Sequence, residues 1–289
     1  MISLLMPTRG RPALARRFLD SVATHTRDLA AVEAVLYVDE DDVESHALGH
    51  DRVRVTRIIG PLVSMGERNT ACLEQSGGSI VMLVNDDVIV QTPSWDDHVR
   101  ALDREYHDGI YLGYPNDLFK KRRLGTFPVL SRTTCELLVV PFPPEYGGAL
   151  IDYHLRDIFE RLRTLAHPRI RYLEHVVFEH CHHRTGKNPF DATYRRRSRF
   201  GDDATFLALR ARRRALSERL AARIDGRALP DASRATMPAD WTPVPELPRA
   251  LWYYVRTFLG DGGLPIGWRT FLFAWYCGRH VWRHATHAT

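Results

Sequence analysis

Val81-Met82-Leu83-Val84-Asn85-Asp86-Asp87 is the stretch that decides the fold. An unbroken apolar run, with no polar alternation, is the pattern of a strand buried on both faces at the centre of an α/β sheet. It runs straight into an amide and two carboxylates. Buried strands of such sheets deliver ligand-binding groups at their carboxyl ends. Two adjacent carboxylates repel each other, and a hard divalent cation such as Mg²⁺ or Mn²⁺ relieves that repulsion while bridging phosphates. For this motif alone, a functionless acidic loop is the plain alternative.

The flanking sequence supplies the rest of the sheet. Residues 2–6 are a first apolar strand, and the turn Pro7-Thr8-Arg9-Gly10-Arg11-Pro12 opens a helix in which Leu14, Phe18 and Val22 form one buried stripe with Ala15 and Leu19. Residues 34–38 are a second strand that runs into Asp39-Glu40-Asp41-Asp42, and residues 53–59 are a third. Residues 67–76 read as a short helix stopped by Gly77-Gly78. Ser94 reads as the cap of a helix whose inner face carries Trp95, Val99, Leu102 and Tyr106. Strands alternating with helices predict an α/β domain with a mostly parallel sheet flanked by helices.

Beyond residue 115 the pattern loosens. Gly/Pro-rich loops flank a helix that starts near Asp152 and buries Leu155, Ile158, Phe159, Leu162 and Leu165. An extended stretch over 170–178 ends in Glu179-His180-Cys181-His182-His183. An Arg-rich helix is expected over 203–224, and a Pro/Ala/Asp-rich linker over 225–248. The last segment interleaves Trp252, Tyr253, Tyr254, Phe258, Trp268, Phe271, Phe273, Trp275, Tyr276 and Trp282 with arginine and histidine.

Composition excludes several classes. The 289 residues are 44% hydrophobic and 26% charged, ordinary for a globular protein and too apolar for a disordered one. The net charge of +5 is carried by arginine, since only Lys120, Lys121 and Lys187 are lysines. Arginine suits a phosphate-bearing ligand, and codon bias produces the same excess. The four scattered cysteines form no CxxC, which argues against a disulfide scaffold and for a reducing, cytoplasmic setting. Residues 2–6 follow Met1 without a basic n-region and read as a strand, not a signal peptide. No apolar run approaches the ~20 residues that span a bilayer.

Three further sets carry candidate chemistry. Thr8 and Arg9 end the first strand, and Asp39 ends the second, where a carboxylate can accept from a base N–H or a ribose hydroxyl. Asp152 follows the loop Gly147-Gly148-Ala149-Leu150-Ile151 at a helix start, where the helix dipole favours the ionised form. Such a carboxylate can act as a general base, and Asp157, one turn later, competes for the role. His180 and His182 point the same way in an extended segment, so either can join Asp87 on a hard cation. A structural zinc site lacks a second Cys/His cluster.

Taken jointly, the order Met6-Pro7-Thr8-Arg9-Gly10-Arg11-Pro12, Tyr37-Val38-Asp39, Arg68-Asn69, Asn85-Asp86-Asp87, Asp152 and His180 resembles the inverting, nucleotide-sugar-dependent glycosyltransferases of the A-type fold, the large group often called family 2. The resemblance covers roughly residues 1–205 and implies a Rossmann-related GT-A domain. Residues 1–115 would be its nucleotide-sugar-binding half and 116–205 its acceptor half, with 206–289 a helical, aromatic-rich extension. It implies that Pro7, Thr8, Arg9, Asp39, Arg68 and Asn69 hold the nucleoside of a UDP-, GDP- or dTDP-sugar. Asn85 and Asp86 would face ribose or donor sugar, and Asp87 and His180 would bind Mn²⁺ or Mg²⁺. Asp152 would deprotonate the acceptor hydroxyl. Asn85 stands where the family's Asp-X-Asp motif begins with Asp. The acceptor would be a glycan, a lipid-linked sugar or a protein.

Two rival functions remain on sequence grounds. A sugar nucleotidyltransferase should carry a glycine-rich loop after the first strand, but Gly10 is the only glycine there. A non-catalytic nucleotide- or sugar-binding protein of the same fold is the other. The aromatic tail reads either as helices packed on the catalytic domain or as a peripheral membrane-surface segment. Arg195-Arg196-Arg197-Ser198-Arg199 and Arg210 to Arg214 suggest a polyanion such as nucleic acid as a minor alternative to solvated helix faces.

Overall fold

A computed structural model of the chain describes residues 1–196, 198, 200–231 and 247–287, with the side chains of residues 196 and 284–287 left aside. The first half is built from β1 (Ile2–Thr8), α1 (Pro12–His25), β2 (Val32–Asp39), β3 (Arg54–Gly60), α2 (Met65–Gln75), β4 (Ile80–Leu83), β5 (Val88–Val90) and α3 (Trp95–Glu105). Then come β6 (Leu112–Asn116), β7 (Val129–Ser131), α4 (Arg132–Leu138), α5 (Ile151–Thr164), β8 (Ile170–His180) and α6 (Ala192–Arg196). Four helices follow: α7 (Asp203–Ala208), α8 (Arg210–Ile224), α9 (Leu247–Tyr254) and α10 (Ile266–His287).

The eight strands lie in the order β3-β2-β1-β4-β7-β6-β8-β5. β3, β2, β1 and β4 are parallel, so their carboxyl ends open on one edge. β7 runs antiparallel to β4 and β6, and β5 antiparallel to β8, so the sheet as a whole is mixed. Along β1 the pleat divides the core. Ile2, Leu4 and Met6 join α1 and α3 on one face, while Leu5 joins the cluster beneath α2, α4 and α5 on the other. That second cluster continues without a break through Leu216, Leu220, Tyr254, Phe258, Trp268, Leu272 and Tyr276. Most of the tail's aromatics therefore face inward, whereas Trp252, Phe271 and Trp282 stay exposed. Among the described residues no helix is long and apolar enough to cross a membrane.

Several local expectations change. The Ser94 backbone is left-handed and its side chain makes no capping hydrogen bond; α3 starts there without a serine cap. α2 is closed by extended Ser76, not by a left-handed glycine. Gly77 and Gly78 serve close approach instead: their N–H groups donate to Glu33 and to Ser3 Oγ, at 2.7 and 2.8 Å, and a Cβ on Gly78 would collide with Ser3. Leu165 lies just past α5 and is exposed, and the helix expected over 203–224 breaks at Leu209. Residues 232–246 of the expected linker lie outside the described residues, as do Arg197 and Arg199.

Two charged stretches are tied into the fold. Asp157 is fully buried, bonded to Arg161 Nε and Arg213 Nε at 2.8 Å each and to Trp268 Nε1 at 3.0 Å. Burial alone would raise its pKa, but the two guanidiniums outweigh that and hold it well below the usual carboxylate range. It is a structural anchor and cannot meet an acceptor. In the Arg210–Arg214 run, Arg213 is buried on Asp157, Arg210 pairs with Asp261 and Arg214 with Glu218.

Candidate functional site

The site is assembled where the parallel strand tips meet the end of β8. The antiparallel register Val88↔His180 is the decisive local feature. It puts Asp87, one residue before β5, beside the last residue of β8, with His180 Nε2 at 3.3 Å from Asp87 Oδ1. Cys181 N–H donates to the Asp87 carbonyl at 2.8 Å and fixes that approach. Asp87 Oδ1 and His180 Nδ1 are buried, and neither has a hydrogen-bond partner among the described residues. Buried polar atoms are nearly always paired, so the uncommitted Asp87 Oδ1, facing His180 Nε2, fits a carboxylate–imidazole donor pair for a divalent cation, with Nδ1 directed away from it. No cluster of three His, Cys, Asp or Glu side chains forms among the described residues, so phosphate or water oxygens would complete the coordination.

Asp86 points the other way. Thr8 Oγ1 donates to it at 2.8 Å and Arg11 Nη1 at 3.1 Å. The two environments push the adjacent carboxylates apart in acidity. Burial and the neighbouring Asp87 raise Asp86, against Arg11 and Thr8. Burial would raise Asp87 too, but the His180 imidazole, the Tyr194 hydroxyl and Arg11 hold it well below the ordinary range. Asp87 is thus the carboxylate kept charged.

On the next strand, Asp39 is fully buried and receives Arg9 Nη1 at 2.6 Å and Arg68 Nη2 at 2.9 Å. Its Oδ1 also lies 2.9 Å from Arg68 Nη2, so the carboxylate is committed to two guanidiniums. Arg9 also forks onto Asp41, and Gly10 adopts the left-handed region (φ +63°) so that its N–H reaches Asp42 at 2.6 Å. Thr8, Arg9, Asp39, Arg68, Asp86 and Asp87 back the cavity and do not form its lining. Pro7, Asn69, Asn85, Asp152 and His180 do line it, together with Phe119, His182 and Tyr194. The cavity measures about 990 Å³, at the upper end for a small-molecule site and large enough for two substrates. Asp152 faces this space, while Asp157 does not. His182 is diverted: its ring stacks on Phe119 and Nδ1 accepts from Arg184 N–H, which leaves His180 as the neighbour of Asp87.

The loop carrying Asp152 is strained and clamped. Leu150, the residue before α5, takes a left-handed backbone (φ 66°), costly for a residue with a Cβ. Asp202 holds the loop by accepting from the N–H groups of Gly147, Gly148 and Ala149 at 2.8, 3.0 and 2.5 Å. Asp202→Ala strands three backbone donors and should cost about 1–3 kcal/mol. Thermal unfolding and turnover, measured together, should both fall.

Three residues were missed in the sequence. Arg11 bridges Asp86 and Asp191, and the Tyr194 hydroxyl donates to Asp87 Oδ2 beneath the Arg11 guanidinium, which lies 4.4 Å from the Tyr194 ring centre. Arg11 stood in a quoted turn without a role. Asp191 and Tyr194 fall on a single short helical turn with no periodicity to flag it.

No protein-family model matches the chain. The uncharacterized protein y4gI of Sinorhizobium fredii is 34% identical over 110 residues, which is 35% of this chain and 12% of that protein. The chain is also similar to solved structures. S. aureus TarS residues 1–349 superpose with a TM-score of 0.51 at 15% identity, covering 89% of this chain and 80% of that one. The same protein in complex with UDP-GlcNAc gives 0.52 at 12%, covering 91% and 81%. Mannosyltransferase PcManGT of Pyrobaculum calidifontis, in complex with GDP-Man and Mn²⁺, gives 0.50 at 13%, covering 99% and 74%. At these identities the likeness shows the architecture: the chain has the A-type fold of nucleotide-sugar glycosyltransferases.

Proposed function

We propose that the protein transfers a sugar from a nucleoside-diphosphate sugar to an acceptor hydroxyl, with inversion at the transferred carbon. The observation that carries this reading is the pairing of buried Asp87 with His180, which lines the same cavity as Asp152. In it, Pro7 and Asn69 line the nucleoside pocket, and Asp39 and Arg68 shape it from behind through their ion pair. Arg9 and Thr8 act from behind, fixing Asp39 and Asp86. Asn85 is exposed to the cavity and takes a sugar or ribose hydroxyl.

Asp87 and His180 hold Mn²⁺ or Mg²⁺. When bound, such a cation neutralises the departing diphosphate. Asp152, at the start of α5, accepts the proton of the acceptor hydroxyl, and its place in the first helical turn favours the charged carboxylate that a base needs. One displacement without a protein-bound sugar inverts the anomeric configuration. Residues 1–115 supply the donor groups, and 116–205, joined by the α10 wall, supply the acceptor groups. Neighbouring folds bind UDP-GlcNAc and GDP-Man, which supports UDP and GDP as the first donors to test.

Asp152→Asn separates this reading from a binding protein of the same fold. It should keep donor affinity within about twofold while transfer and donor hydrolysis fall by about 10²–10⁴, the share of general base catalysis. A variant as active as the natural chain would remove Asp152 from the mechanism.

A further inference from the structure

The short segment that leads into α6 has no role in the chemistry above, yet it is firmly tied to the turn between β1 and α1. Asp191 forks onto Arg11, accepting from Nη2 at 2.8 Å and from Nε at 2.7 Å. The same carboxylate accepts the Tyr194 N–H at 3.1 Å and closes the helical turn on itself. Thr193 Oγ1 donates to the Arg9 carbonyl at 3.1 Å. Neither Phe190 nor Tyr194 joins the two hydrophobic clusters of the core, so apolar burial does not account for this docking.

What the ties fix is one ring. The Arg11 guanidinium lies 4.4 Å from the centre of the Tyr194 ring, Phe190 stacks on that ring at 6.0 Å and 13°, and the His183 ring meets it at 4.3 Å and 64°. The hydroxyl is thereby aimed at Asp87 and donates to its Oδ2. A carboxylate has two equivalent oxygens and turns easily about its last bond. With Oδ2 taken, Oδ1 is the oxygen left, and it faces His180 Nε2 at 3.3 Å. The type of donor matters. A phenol hydroxyl is neutral, so it orients Asp87 without cancelling its charge. Arg11, the nearby cation, directs its hydrogen bonds to Asp86 and Asp191 instead.

Resting on the glycosyltransferase reading, in which Asp87 and His180 hold a divalent cation, we propose that Tyr194 is a positioning residue for that cation. Seated by the fork of Arg11 and Asp191, its hydroxyl holds Asp87 Oδ2 and leaves Oδ1 to the metal. Hydrogen-bonding partners of a metal-binding carboxylate are worth about 10–100-fold in metal affinity. The latch thus gives this short helical turn a purpose that the hydrophobic core does not.

Tyr194→Phe tests this, because it keeps the ring and removes only the hydroxyl. Mn²⁺ binding to the full chain is measured with saturating UDP or GDP, from the paramagnetic resonance signal of the free ion. Tyr194→Phe should weaken Mn²⁺ binding by about 10–100-fold, with the melting temperature of the metal-free chain unchanged. Donor hydrolysis at saturating Mn²⁺ should fall less than the affinity does, the split expected of a residue that acts through the metal ligand. Asp191→Ala unseats the ring and should give a loss of similar size. The double variant should lose no more than the larger single loss, since both changes act through one contact. Mn²⁺ affinity in Tyr194→Phe equal to or above that of the natural chain overturns the positioning role, and additive losses in the double variant overturn the seating by Arg11 and Asp191. A natural chain that binds no Mn²⁺ with either nucleotide overturns the metal-dependent reading and the proposal with it.

Discussion

Asp87→Ala is expected to abolish metal-dependent donor binding and to lower kcat/KM by about 10³ or more, the scale of losing electrostatic stabilisation at a developing leaving-group charge. The reason lies in the division of labour at the tip of β4. Asp86 is committed to Thr8 and Arg11, whereas Asp87 keeps its charge and one uncommitted oxygen next to His180. Asp87→Asn should do nearly the same harm, because an amide offers a neutral oxygen where a charge is needed. The fold should survive either change, since the partners of Asp87, His180 and Tyr194, line the cavity and not the hydrophobic core. Full activity in Asp87→Ala, checked with Mn²⁺ and with Mg²⁺, would remove the cation from this position.

The largest effect on stability is expected at Asp157. Its carboxylate is the shared acceptor of Arg161, Arg213 and Trp268, from α5, α8 and α10. Asp157→Ala leaves two buried guanidiniums without that partner and should destabilise the chain by about 3–5 kcal/mol. The effect depends on pH in a definite direction. The folded pKa is depressed, so the stabilisation is fully present above the unfolded value, about 4, and fades as pH falls toward the folded value. The stability gap between the natural chain and Asp157→Asn should therefore be constant from neutral pH down to about 4 and shrink below it. Urea unfolding across that range measures it. A gap that widened on acidification would contradict the assignment.

The sequence made the strand tips legible because buried parallel strands leave an unmistakable mark: apolar runs ending abruptly in Thr8-Arg9, Asp39 and Asn85-Asp86-Asp87. That His180, and not His182, meets Asp87 was legible only through family resemblance. The contact depends on a three-residue pairing of β5 with β8 that no period of hydrophobicity reveals. Asp157 and Asp152 look alike in sequence, one turn apart on one helix, and burial alone separates them. Arg213 illustrates the same limit from the other side. In an arginine run, a residue that is 1% exposed and anchors a core ion pair reads no differently from its solvated neighbours. The latch of Arg11, Asp191 and Tyr194 joins residues far apart in the chain across loops, where no local pattern exists to be read.

Isothermal titration of the full chain with UDP and with GDP, run with Mn²⁺ and with chelator, most directly tests whether the acids at the strand tips converge on a cation-bridged diphosphate. The expected result is binding of one nucleotide that requires the metal and disappears in Asp87→Ala. Binding of equal strength with chelator and in the variant, or no binding of either nucleotide, would contradict it.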